Sequence, residues 1–164
     1  MGARATTTTT ARSGGATAVI TPQADAWDAL SRAYAAVSLR LQEALSQNDF
    51  PPLPWFELLA AVAAAPEQRM RMGELAEALV MTRGGLTKLV DRLVKAGLLE
   101  RTFCETDRRV SYATLLPAGA ELLAEMRPVI AGELELTFSD QLGAREAREL
   151  RSILERLRSS ACGG

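Results

Sequence analysis

The stretch Thr82-Arg-Gly-Gly-Leu-Thr-Lys-Leu-Val-Asp-Arg-Leu-Val-Lys-Ala-Gly97 decides how this chain folds. Leu86, Leu89, Val90, Leu93 and Val94 recur at three- and four-residue intervals, the period of a helix with one buried face. Arg83, Thr87, Lys88 and Asp91 fall on the opposite face. Gly97 is a good helix stop. Gly84 and Gly85 would each cost about 1 kcal/mol against alanine in a helix interior, which assigns them to the first turn.

Working outward, Met72 to Leu79 predicts a short helix through Leu75, Ala76 and Leu79, and Val80 and Met81 form a brief turn before the next helix. Two short helices joined tightly suggest a helix-turn-helix. Beyond Gly97 the period changes. Leu98 to Phe103 and Arg109 to Leu115 are rich in Leu, Val, Tyr, Thr and Phe, with the polar loop Cys104 to Arg108 between them, the pattern of a hairpin. The fold class is therefore mainly α with a small β-hairpin wing, a winged helix-turn-helix over residues 53–116.

Longer helices flank this centre. Thr21 and Pro22 start the first, with threonine as N-cap and proline at the first helical position. It runs to about Ser46, and Trp27, Leu30, Tyr34, Val37 and Leu41 form its apolar stripe. Asn48 to Pro52 breaks the pattern, and Pro54 to Ala65 makes an apolar second helix. Pro117 opens a long stretch through Leu122, Leu123, Met126, Val129, Ile130, Leu134 and Phe138, bent near Pro128, where a backbone donor is missing. After Gly143, Ala144 to Ser159 forms an amphipathic last helix with Leu150, Ile153, Leu154 and Leu157 on one side. Residues 21–50 and 117–160 thus read as a dimerisation region whose stripes are buried against a second copy. Residues 1–20, with their threonine run, read as a disordered tail.

Composition narrows the function. The 164 residues are 48% hydrophobic and 24% charged, as in a soluble globular protein, and no apolar run suits a membrane span. Net charge is −1, but nine Lys or Arg face six Asp or Glu from Gln68 to Tyr112, so that segment carries +3 and the remainder −4. Positive charge thus gathers on the proposed helix-turn-helix and wing. The chain has no histidine, which excludes His-dependent zinc sites and Ser-His or Cys-His hydrolases, and no other convergent acid, base and nucleophile set suggests an enzyme. No metal or cofactor is expected. Two distant cysteines, Cys104 and Cys162, fit a reducing cytosol, the expected location.

On this frame Thr82, Arg83, Thr87 and Lys88 stand where a helix laid in a major groove makes its contacts, and Arg108 and Arg109 lie at the wing tip, placed to enter a minor groove. Double-stranded DNA is the expected partner. Cys104, near Arg101 and Arg108 in sequence, offers a redox-switch alternative.

Met72-Gly-Glu-Leu-Ala76, the run from Thr82 to Leu93 ending Val-Asp-Arg-Leu, Ala96-Gly-Leu-Leu-Glu-Arg101 and Asp107-Arg-Arg109 together resemble the MarR family of transcriptional regulators. The resemblance covers about Leu53 to Leu123. It implies a homodimeric repressor that binds a palindromic operator and releases it when a small aromatic or phenolic ligand binds. It carries DNA contact onto Thr82, Arg83, Thr87, Lys88, Arg108 and Arg109, and wing support onto Asp107 paired with Arg92 or Arg101. It also places the ligand cleft among the first, second and fifth helices, with Trp27, Tyr34 and Trp55 as aromatic candidates and Arg32 or Arg40 as carboxylate partners. The chain departs from the family at Gly84, usually polar, at Lys88, commonly arginine, and at Leu116, usually a capping threonine. The alternative is a ligand-binding or interaction protein on the same scaffold without DNA binding.

Overall fold

A computed structural model of the chain describes residues 21–103, 107 and 110–162. The readings of residues 1–20 as a tail, of Cys104 as a switch and of Arg108 and Arg109 as the wing tip lie outside the described residues. The chain divides into two units, Met1–Tyr34 and Ala35–Gly164.

The described part of the first unit is helical and belongs to α1 (Pro22–Gln47). Thr21 caps it as its sequence predicts, its hydroxyl accepting from the Ala24 amide at 3.2 Å. Asp28 and Arg32 form an i,i+4 ion pair at 2.9 Å. Trp27 and Tyr34 are both 69% exposed.

The second unit carries α2 (Leu53–Ala64), β1 (Arg69–Arg71), α3 (Met72–Ala78), α4 (Arg83–Lys95), β2 (Leu99–Phe103), β3 (Ser111–Leu115), α5 (Pro117–Leu134) and α6 (Ala144–Cys162). A π-helical turn, Glu135–Ser139, continues α5. Each predicted helix is present with its ends moved by at most a few residues. Two elements were not predicted. One is the π-helical turn, and the other is β1, which pairs antiparallel with β3 and makes the hairpin into a three-stranded sheet in the order β1-β3-β2.

The side chains of a strand alternate between two faces, so the register sorts this sheet. Met70, Ala113, Leu99 and Leu115 turn inward onto α2, α3 and α4, where Leu58, Leu59, Val62, Leu75, Leu86, Val90 and Leu93 are buried. Arg69, Arg71, Tyr112 and Thr114 lie on the other face. A second apolar cluster joins Leu41 and Leu45 of α1 to Leu53, Met126 and Ile130. The Leu53 amide donates to Gln42 Oε1 at 3.0 Å, which ties the start of α2 to α1.

Helix ends leave carbonyls without partners, and a left-handed residue just past the end satisfies them. α4 ends in this way at Gly97 (φ 73), with Gly97 N donating to Val94 O and Leu98 N to Leu93 O. α3 ends the same way, but its left-handed residue is Val80 (φ 51), with Val80 N on Glu77 O and Met81 N on Ala76 O. At the other side of the sheet, α5 comes so close to the exit of α4 that only glycine fits. A Cβ on Gly119 would stand 2.2 Å from the Leu98 carbonyl oxygen, which already accepts from the Leu116 amide.

α6 has half-buried Leu150 and Leu154 but, among its residues of described burial, none that is buried, and it leaves Ile153 45% and Leu157 53% exposed. An apolar cavity of about 300 Å³ lies between it and the π-helical turn, lined by Phe138, Leu142, Leu150 and Leu154. No helix among the described residues is long and apolar enough to cross a membrane.

Candidate nucleic-acid interface

α4 is the most amphipathic helix of the central module, and its sequence dictates which face is free. Leu86, Leu89, Val90 and Leu93 are buried, which turns Arg83, Gly84, Lys88, Asp91 and Arg92 to solvent. Thr82 is its N-cap, with the hydroxyl accepting from the Gly85 amide at 3.2 Å. Gly84 and Gly85 do fall in the first turn. A Cβ on Gly84 would meet nothing within 4 Å, so its missing side chain answers no need inside the protein. Thr87 is half-buried and donates to the Arg83 carbonyl at 2.9 Å. The structure therefore brings Thr82, Arg83, Thr87 and Lys88 to one end of one helix.

Beside that end lies a cleft of about 500 Å³ lined by both charged and apolar side chains. Arg83 and Thr87 line it from α4, Arg71, Glu74 and Glu77 from the start and body of α3, and Arg101 and Ser111 from the sheet. Arg101 spans it. Its Nη1 lies 3.8 Å from Asp91 Oδ1 and its Nη2 donates to Ser111 Oγ at 3.4 Å. The expected support was Asp107 with Arg92 or Arg101. Arg101 joins β2 to α4 through Asp91, and Arg92 forms no ion pair among the described residues; the role given to Asp107 remains a proposal. Asp91 is largely exposed, so this pair orients more than it stabilises, worth up to about 1 kcal/mol.

Arg71 and Arg101 were not singled out from the sequence as site residues in their own right. The alternation of β2 held part of the signal, because Arg101 stands two residues after buried Leu99 and so faces the helices. Arg71 gave no comparable signal, since β1 is too short to show a period.

The aromatic ligand candidates fall in different units, Trp27 and Tyr34 in the first and Trp55 in the second. Trp55 is half-buried and packs on the core around α2. Of the candidate carboxylate partners, Arg32 is paired with Asp28, and Arg40 Nε lies 2.6 Å from Glu133 Oε1. Among the described residues no group of three or more acidic or cysteine side chains is placed to hold a metal ion.

Comparison with known proteins points the same way as this geometry. A family model described as MarR family matches residues 48–110. The chain is 27% identical over 128 residues to the HTH-type transcriptional regulator MhqR of Bacillus subtilis, covering 78% of this chain and 86% of that one. Its fold matches AbsC, a MarR family transcriptional regulator from Streptomyces coelicolor, with a TM-score of 0.79 and 25% identity over 88% of this chain and 97% of the other. It also matches Sco3205, a regulator of the same family and organism solved in complex with DNA, with a TM-score of 0.78 and 27% identity over 85% and 88% of the two chains. The winged module, the exposed basic end of α4 and these relatives agree: over residues 48–110 the chain is similar to the MarR family, and over most of its length to transcriptional regulators of that family.

Proposed function

We propose that the chain is a homodimeric repressor that holds a palindromic operator and releases it when a small aromatic ligand binds. The observation that carries the DNA arm is the open basic end of α4, where Thr82, Arg83, Thr87 and Lys88 stand together on a helix whose other face is fully engaged in the core. In this reading residues 53–116 are the DNA-binding lobe. α4 enters the major groove, Lys88 reads base edges, and Arg108 and Arg109 reach an adjacent minor groove. Residues 21–50 and 117–160 form the dimerisation region, a reading supported by the exposed apolar residues of α6. Two copies would engage half-sites about 34 Å apart, one turn of the duplex. Trp27, Tyr34 and Trp55 are the proposed ligand contacts. The likeness to Sco3205, solved in complex with DNA, supports the nucleic-acid partner.

The test is a mobility-shift titration with duplex fragments from the promoter region beside the coding sequence. At low salt, where phosphate contacts are strongest, a specific shift is expected. If no fragment shifts, DNA binding is lost to this chain and the repressor reading fails.

A further inference from the structure

β1 and β3 gather two arginines at one tyrosine. The Arg69 guanidinium carbon lies 3.9 Å from the centroid of the Tyr112 ring and that of Arg71 5.9 Å. Arg71 Nε also donates to the Tyr112 hydroxyl at 3.3 Å and lies 4.0 Å from Glu74 Oε1. A surface arginine ordinarily keeps its rotamer freedom, worth about 2 kcal/mol. Here the guanidinium is held in place while 58% of the side chain stays open to solvent.

The position of Arg71 gives that arrangement a use. It precedes α3 and lines the same cleft as Arg83 and Thr87 of α4. In helix-turn-helix docking the first helix of the pair crosses the sugar-phosphate backbone while the second enters the groove. A guanidinium is planar, permanently charged and matched to phosphate oxygens, so a fixed one at that place suits the backbone rather than a base edge. Glu74 and Glu77 line the cleft too and disfavour a free small anion there. A duplex, held at the same time by Arg83 and Lys88, is less affected.

We propose that Arg71 is a further DNA-phosphate contact and that Tyr112 is the positioning residue that orients its guanidinium. The proposal rests on the reading of α4 as the recognition helix. Its test uses two probes, a duplex recovered by the wild-type protein from a randomised pool and an unselected duplex, titrated over a range of salt.

Arg71→Ala is expected to weaken both duplexes by a similar factor, about tenfold at low salt, and to lower the salt slope by about 1 for each copy bound. Arg71→Lys should restore the slope. Tyr112→Phe should cost several-fold in affinity with the slope unchanged, because the charge remains, and it should cost nothing further when combined with Arg71→Ala. Far-UV circular dichroism and thermal melts establish that each variant is folded. A folded Arg71→Ala protein with wild-type affinity and slope would overturn the proposal, as would additive effects of the two substitutions. If that happens while Arg83→Ala still loses binding, the recognition-helix reading stands and only Arg71 is wrong. If the wild-type protein binds neither duplex, both fall.

Discussion

Val80 holds a backbone conformation that its own side chain resists. A left-handed φ costs an ordinary L-residue about 1–2 kcal/mol, and branching at Cβ does nothing to relieve it. The bonds that close α3 require that conformation, and Val80 is 68% exposed, so its side chain returns little by burial. Val80→Gly is expected to raise stability by about 0.5–1 kcal/mol, the relief of strain less the entropy of an added glycine, as read by urea denaturation. Glu57 of α2 is exposed to solvent yet partly desolvated by its neighbours. Desolvation raises its carboxyl above the ordinary value of 4.5. The folded state therefore binds that proton more tightly than the unfolded chain, and the carboxylate lowers stability at any pH above its raised value. The penalty fades as pH falls through that value. Glu57→Gln should melt above the wild type at neutral pH, and the two should converge below about pH 4.

At the scale of the element, α4 was legible because a single period of apolar residues and one glycine stop settle a helix without help from distant parts of the chain. The wing hairpin was legible for a similar reason, being local in sequence. β1 was not. Arg69-Met-Arg71 is three residues long and is a strand only because Thr114, Ala113 and Tyr112 lie opposite it, some forty residues away. The same distance hid the meeting of Arg71 with Tyr112, and the bond from Arg101 to Asp91 depends on how β2 passes α4. The first turn of α4 gives a direct test of whether its glycines serve the protein or the duplex. Gly84 has open space around its missing Cβ, so Gly84→Ala should stabilise the free protein by about 0.5–1 kcal/mol in thermal melts. Weaker DNA binding by the same, more stable variant would show that the missing side chain makes room for the backbone of the duplex.

For the whole molecule, the unburied apolar residues are the leading fact. Leu136, Phe138, Ile153 and Leu157 are each more than 40% exposed on the π-helical turn and α6. A second copy covering them is the proposed reason. Leu157→Glu should then convert dimer to monomer in sedimentation velocity without loss of helical signal. Operator affinity should fall by about a hundredfold, the avidity that two joined half-site contacts provide. A dimer that persists would put the interface elsewhere. The close approach at Gly119 bears on how such a dimer would work. There the α5 backbone lies against the Leu98 carbonyl and the Leu115 side chain with no room for a Cβ, so a swing of α5 about that point would press directly on the exit of α4. The helix is 18 residues long, about 27 Å, and a tilt of about 10° carries its end roughly 5 Å. Two such helices swinging in opposite senses would take a pair of reading heads out of phase with the turn of the duplex, with every residue that touches DNA left as it was.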